Sequence, residues 1–321
     1  MKPLIILTGP TAVGKTALSL KLASEVGGEI VSADSMQVYR RMDIGTAKIR
    51  EDERQGIRHH LIDILEPDEE FNVVLFQKLA KECIKEIYGR NMIPIVTGGT
   101  GFYIQALLYD INFCEETGEN NYRVELECLA DEMGSGYLHD LLKEVDEQAA
   151  EAIHPNNRKR IIRALEYHRQ TGSKISAHNE TEKKRQSPYN FSYFVLNDER
   201  EIIYKNINRR VDIMVADGLI EEVSRLRAEG LSRDLVSMQG LGYKEIFAYL
   251  DGEMSLDEAI TLLKRDTRRF AKRQLTWFRR ERDVIWLNKG DFTSEDAIVE
   301  EIMKQNENSR NSKTKQSRRK V

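Results

Sequence analysis

The sequence predicts an α/β protein, a doubly wound and mostly parallel sheet carrying an all-helical insertion. Short apolar, β-branched runs recur at Leu4–Leu7, Glu29–Ser32, His60–Ile64, Ile93–Thr97, Phe191–Leu196 and Val284–Leu287, and helical-period segments separate most of them. That alternation is the pattern of parallel strands with helices on both faces. From about Cys114 to Asn190 the alternation stops: no strand is apparent, and several helices are punctuated by Gly134, Gly136, Pro155 and Gly172. The expected division is a first part of the core over 1–113, the insertion over 114–190, a second part of the core with C-terminal helices over 191–303, and a tail over 304–321.

The first run leads into Gly9-Pro10-Thr11-Ala12-Val13-Gly14-Lys15-Thr16, which satisfies G-x-x-x-x-G-K-[ST], and Ala17–Val26 continues as an amphipathic helix through Leu18, Leu22 and Val26. Strand, glycine loop and helix in that order make the fold P-loop NTPase-like. Glycine lets the backbone bend around a phosphate with its N–H groups inward, and the helix N-terminus adds favourable potential. Lys15 is expected to meet phosphate oxygens and the Thr16 hydroxyl to ligate Mg²⁺. The motif states that a polyphosphate binds; kinases, NTPases and enzymes with a diphosphate leaving group all remain open.

In open α/β sheets ligands sit beyond the carboxyl ends of the strands. The second run ends in Ala33-Asp34-Ser35-Met36-Gln37, where the Asp34 carboxylate is open to roles as metal ligand, general base or cap of the next turn. His59-His60 lacks the further ligands a metal site needs and reads as structural. The fourth run ends in Gly98-Gly99-Thr100-Gly101-Phe102-Tyr103, either a loop that approaches a ligand or a tight strand–helix connection.

Within the insertion, Leu138, Leu141, Leu142 and Val145 give one helix an apolar face. Ile161, Ile162 and Leu165 do so for another, leaving Lys159, Arg160 and Arg163 for phosphates or for solvent. Ser173–Tyr189 is almost wholly polar and is expected to be a mobile connection. Ser255 and Glu258 form a capping box for a long helix whose Phe270, Trp277 and Phe278 are expected in the core, beside a basic face of Arg268, Lys272 and Arg279. Gln239-Gly240-Leu241-Gly242-Tyr243-Lys244 is a glycine loop before another helix. The tail, rich in Lys, Arg, Ser and Asn, is expected to be disordered.

Bulk properties narrow the setting. With 321 residues, 40% of them hydrophobic and 32% charged, the chain exceeds a single small unit and has no apolar run long enough to span a bilayer. The first strand begins almost at the first residue, leaving no room for an export signal. Cys83, Cys114 and Cys128 form neither a disulfide framework nor a zinc site, so a cytoplasmic location is expected. A net charge of −4 excludes a uniformly cationic surface, so local clusters of Lys and Arg decide any nucleic-acid role.

Taken together, the motifs resemble the bacterial tRNA dimethylallyltransferases. The match comprises GPTAVGKT at Gly9–Thr16, DSMQVYRRMDIGTAK at Asp34–Lys48, HHLID at His59–Asp63, GGTGFY at Gly98–Tyr103, RKRIIRALE at Arg158–Glu166, GLGYKE at Gly240–Glu245 and RRFAKRQLTWFRR at Arg268–Arg280. The resemblance implies transfer of a dimethylallyl group from its diphosphate to the N6 amine of the adenosine immediately 3′ of the anticodon. It implies Asp34 as general base with Thr100 beside it to hold the adenine. It implies a diphosphate bound by Gly9–Thr16 with Mg²⁺ and supported by Arg210, next to Arg209. The implied contacts with the tRNA anticodon stem-loop come from Asp34, Ser35, Met36, Gln37 and Thr100, from Lys159, Arg160, Ile161, Ile162 and Arg163, and from Gln239, Gly240, Leu241, Gly242, Tyr243 and Lys244. The eukaryotic relatives' zinc finger has no counterpart here, since no cysteine follows Cys128. Catalysis by a monomer, without membrane or protein partner, is the expectation. The competing readings are a small-molecule P-loop kinase and a non-catalytic RNA-binding module.

Overall fold

A computed structural model describes residues 2–113 and 121–318, so Cys114 lies outside the described residues. Its six strands are β1 (Pro3–Thr8), β2 (Gly28–Ser32), β3 (His59–His60), β4 (Ile93–Gly98), β5 (Asn190–Asn197) and β6 (Val284–Asn288). The helices are α1 (Lys15–Val26), α2 (Val73–Gly89), α3 (Gly101–Leu108), α4 (Asn121–Met133), α5 (Ser135–Val145), α6 (Glu147–Ala152) and α7 (Arg158–Thr171). They continue with α8 (Ile175–Lys183), α9 (Arg200–Ala216), α10 (Leu219–Ala228), α11 (Tyr243–Leu250), α12 (Leu256–Phe278) and α13 (Glu295–Arg318).

All five strand pairings are parallel, in the order β3-β2-β4-β1-β5-β6. The chain passes from β1 outward over β4 to β2, then returns to the other side of β1 for β5. This reversal opens a crevice at the carboxyl end of β1, where ligands of such sheets bind. Alternation along the strands sorts the core. Ile5, Leu7, Ile30 and Ile95 join Leu18 and Leu22 of α1 and Ile298 and Ile302 of α13 in one cluster. The intervening Leu4, Ile6, Val31 and Val96 are fully buried on the opposite face.

The chain divides into two compact units, 1–108 with 188–321, and 109–187. The second consists of helices built on Leu126, Leu138, Leu142, Ile161, Ile162 and Leu165. Ser173–Tyr189, expected as a mobile connection, contains α8 instead. Its polar residues are held by buried partners: the Ser176 N–H and hydroxyl donate to Asp146 at 2.9 and 2.7 Å. Glu182 accepts the Asn112 N–H at 3.1 Å.

Two further expectations are corrected. The His60–Ile64 run is a strand only at His59–His60, because Leu61 and Asp63 adopt left-handed φ of 61° and 56°. The chain then bends to follow the loop after β2, with the Ile64 N–H donating to the Val38 carbonyl at 2.9 Å. The tail expected to be disordered continues as helix through Arg318. No glycine or proline interrupts 293–318, and its Lys, Arg and Gln residues are good helix formers. The capping box of α12 is present, Ser255 Oγ accepting the Glu258 N–H and Glu258 accepting the Ser255 N–H at 2.8 Å.

Candidate active site

A cavity of about 320 Å³ opens at the carboxyl ends of β1, β2 and β4. Thr11, Gly14, Lys15, Thr16, Arg210 and Gln274 line one part of it, Asp34, Gln37, Thr97 and Gly99 another, and Ile30, Ile49, Ile62 and His59 an apolar end.

The phosphate loop is shaped by the strand beside it. Gly9 has φ of 151°, and a Cβ there would stand 2.2 Å from the Leu196 carbonyl oxygen of β5, so only glycine fits. Gly14, in the left-handed region, starts α1, which puts Lys15 and Thr16 on the first helical turn. Lys15 Nζ donates to the Gly9 and Pro10 carbonyls at 3.0 and 2.8 Å. Burial, then the neighbouring Arg210, pull the Lys15 ammonium down to about 7, with Asp34 opposing. Arg210 reaches Thr11 Oγ1 at 3.2 Å from α9, whereas Arg209 is exposed. Of the two adjacent arginines, Arg210 is the one in the cavity lining. Val13 packs its buried side chain into the core, and its carbonyl accepts from Lys289 Nζ at 3.5 Å.

Asp34 lines the same cavity as Lys15, whose charge it favours, and its Oδ1 accepts the Met36 N–H at 2.9 Å. It is thus both a turn cap and a carboxylate presented to the cavity, with one oxygen fixed by the backbone. The Thr100 N–H donates to the Ala33 carbonyl at 3.3 Å, and Gly98 lies so close to Ala33 that a Cβ would stand 2.3 Å from its oxygen. The second glycine loop is thereby tied beside Asp34, with Thr100 at the rim of the cavity rather than in its lining.

The loop after β2 is held from a distance. Met36 packs where a Cβ on Gly240 would come within 2.6 Å of its Cε, and the Tyr243 ring covers Gly45. Buried Glu222 accepts the N–H groups of Asp43, Ile44 and Gly45 at 2.9, 2.9 and 3.1 Å and the Tyr243 hydroxyl at 2.7 Å. Lys48, also buried, bonds Asp43 and Asp63, both at 2.6 Å. Gln37 donates to the Thr46 carbonyl at 3.3 Å. The structure therefore brings Asp34–Gln37 together with Gln239–Lys244.

Three assignments change in kind. Tyr243 is buried, with its hydroxyl on Glu222, so it holds the loop and offers no surface to RNA. Ile161 and Ile162 are buried in the core of their own unit because α7 turns its apolar face inward; only Lys159 and Arg160 of that run are fully exposed, with Arg163 half-buried. Of the aromatic residues expected in the core, Phe278 is buried, but Phe270 lines the cavity and Trp277 packs on Gly101 and Phe102.

Sequence reasoning missed three residues. His59, read as structural, lines the apolar end of the cavity. Its Nδ1 lies 2.9 Å from the Ile57 carbonyl, and burial pushes the ring below its usual range, leaving it neutral near pH 7. His60, by contrast, is structural, 2.6 Å from buried Glu29, which Arg90 also grips. Gln274 and Glu222 carried no local signal at all, since their partners lie far away in sequence.

A family model described as IPP transferase matches residues 37–281. A tRNA dimethylallyltransferase of Lachnoclostridium phytofermentans is 62% identical over 304 residues, covering 95% of this chain and 97% of the relative. One of Acetivibrio thermocellus is 49% identical, over 94% and 96%. Among solved structures, the full-length tRNA isopentenylpyrophosphate transferase of Bacillus halodurans superposes with a TM-score of 0.76 at 46% identity, covering 99% and 100% of the two chains. A eukaryotic dimethylallyltransferase acting on tRNA gives a TM-score of 0.77 at 28% identity, covering 90% and 74%.

Proposed function

The chain belongs to the IPP transferase family, and on that premise we propose that it transfers a dimethylallyl group from dimethylallyl diphosphate to the N6 amine of the adenosine immediately 3′ of the anticodon in tRNA. The observation that carries this reading is one cavity lined by a phosphate loop, two cations, Lys15 and Arg210, and a carboxylate, Asp34, whose charge both cations feel.

The residues divide the chemistry between them. The diphosphate binds at Gly9–Thr16. As the allylic C–O bond breaks, negative charge grows on the leaving oxygen, and Lys15 and Arg210 stabilise it. The new C–N bond forms to N6, and Asp34 takes the proton that the amine loses. An amine conjugated with a purine is a weak nucleophile, so this acceptance lowers the barrier, and general bases contribute about 10²–10⁴-fold. The Met36 N–H fixes Asp34 for that role. The adenine has to leave the anticodon-loop stack to reach a carboxylate inside a cavity.

Mg²⁺ fits the donor set. Thr16 carries a hydroxyl on the first turn of α1, and Thr97 Oγ1, buried in the cavity lining, has no hydrogen-bond partner among the described residues. Mg²⁺ is commonly held by few protein oxygens together with substrate phosphates and water. Thr16 would hold it against the diphosphate, where it supplies positive charge to the leaving group. β4, the strand beside β1, ends in Thr97-Gly98, whereas P-loop nucleotide hydrolases use a carboxylate as a second metal anchor. With Asp34 given to the acceptor amine, that difference favours a diphosphate leaving group over phosphoryl transfer from a nucleotide.

The enzyme acts as a monomer in the cytoplasm on this reading; no helix among the described residues is long and apolar enough to cross a membrane. The test is transfer of labelled dimethylallyl diphosphate to unmodified tRNA with Mg²⁺ and no ATP, comparing tRNAs with and without adenosine 3′ of the anticodon. Label confined to the adenosine-bearing tRNA is expected. No label with any tRNA, from folded protein, would overturn the proposal and bring the kinase forward.

A further inference from the structure

Gln274 lies on α12 one turn after Phe270 and is buried, and its carboxamide spans two rim loops. Oε1 accepts the Thr11 N–H at 2.9 Å, and Nε2 donates to the Gly99 carbonyl at 3.0 Å. The assignment of the two ends is determined by the partners. A flipped amide would set donor against donor at Thr11 and oxygen against oxygen at Gly99. The fit is also tight, since a Cβ on Gly99 would stand 2.1 Å from Nε2.

Each end of this bridge leads to one half of the reaction. Thr11 belongs to the phosphate loop and receives Arg210 on its hydroxyl at 3.2 Å. Gly99 sits between Gly98, packed on the Ala33 carbonyl, and Thr100, whose N–H bonds that same carbonyl at 3.3 Å. The residue after Ala33 is Asp34. One neutral side chain thus stands between the cradle of the leaving group and the loop that carries the base.

We propose that Gln274 is a positioning residue that sets the register between the diphosphate-binding loop and the Asp34 rim, so that the allylic carbon and the adenine amine meet in line. The inference rests on the transferase reading above. Each loop keeps its own remaining contacts without Gln274, so each substrate should still bind. What is lost is their mutual placement, and a misplacement of about 1 Å costs on the order of 10²-fold in rate.

The experiment measures kcat and both KM values for the full-length enzyme with labelled dimethylallyl diphosphate and unmodified tRNA. Gln274→Met keeps the approximate volume and removes both hydrogen bonds, so packing alone tolerates it. It should lower kcat between 10- and 100-fold, with each KM within about threefold of the parent. Gly99→Ala drives the carboxamide off its carbonyl and should lower kcat to a similar degree. Adding Gln274→Ala to Gly99→Ala should then cost less than about threefold more, because the bridge is already broken. A kcat for Gln274→Met within threefold of the parent, or multiplicative losses in the double variant, would overturn the proposal. If Gln274→Met fails to fold, Gly99→Ala decides: unchanged kcat overturns the proposal, and a selective loss of kcat supports it. A parent enzyme that transfers no label overturns the transferase reading itself, whereas an active parent with unaffected variants overturns only the role of Gln274.

Discussion

The two sides of the active-site rim are built in opposite ways. The phosphate loop takes its shape mostly locally: Gly9–Thr16 bends by its own backbone angles, and Lys15 bonds the carbonyls of Gly9 and Pro10 a few residues away. The remote side chains of Arg210 and Gln274 reach it at Thr11. The Asp34–Lys48 loop is held by partners distant in sequence, with Glu222 gathering three of its N–H groups and Tyr243 lying over Gly45. A loop that largely shapes itself can be read from eight residues. A loop shaped by others is invisible locally and fails when a remote residue changes.

The largest expected effect tests what the two sides jointly present. Asp34→Ala should lower kcat at least 10²-fold while tRNA affinity changes little, because the carboxylate acts on the proton in flight rather than on the bound base. Steady-state kinetics with saturating tRNA would check it; turnover within threefold of the parent would remove Asp34 from the base role and leave it as the cap of the Met36 turn.

The contrast itself is broken by Glu222→Ala. This carboxylate is buried and accepts three backbone N–H groups and one hydroxyl, so truncation leaves four donors without their acceptor. A cost of about 3 kcal/mol in stability is expected, with about a tenfold loss of turnover and a raised KM for tRNA. The KM for dimethylallyl diphosphate should stay near its parent value, since the phosphate loop does not depend on Glu222. Chemical denaturation and separate KM determinations would check this, and equal damage to both KM values would show that the two sides are not independent.

On the phosphate side, pH is the sharper probe. Burial and Arg210 lower the free-enzyme Lys15 ammonium to about 7. Its charge, which the proposed diphosphate site needs, is present below that value and lost as pH rises through it. The KM for dimethylallyl diphosphate should therefore climb several-fold between pH 7 and 8.5. In Lys15→Arg, whose charge persists, it should stay flat whatever the absolute activity. A parent KM that is level across this range would place the Lys15 transition elsewhere.

The same contrast explains what the sequence revealed. The strand–loop–helix at β1, the ends of β2 and β4, and the apolar faces of α5 and α7 all rest on neighbours within a few residues, so periodicity and spacing expose them. Gln274 looks like any polar residue on an amphipathic helix, and its two partners lie 263 and 175 residues away. Phe270 matches the spacing of a core aromatic, and only the packing of α12 turns it to the cavity. Arg209 and Arg210 are neighbours in a chain but about 100° apart around a helix, so the choice between them needed the fold. Ile161, Ile162 and Tyr243 belong to the resemblance motifs because they hold the surface that the motif presents, and a motif match does not separate support from contact.

The smallest expected effect concerns Lys159 and Arg160, both exposed on α7. A cation that meets an RNA phosphate releases a condensed counterion, so its loss lowers affinity modestly and flattens the dependence on salt. Lys159→Ala and Arg160→Ala should each raise the KM for tRNA by a few-fold at low salt. The slope of log KM against log salt should fall by about 0.7 to 0.9 for each contact removed, with kcat unchanged. Salt also screens any non-specific attraction, so the slope is the informative quantity and the KM alone is not. A slope equal to the parent's in both variants would make this a solvated face of α7, and the tRNA contacts of that unit would then have to come from other residues.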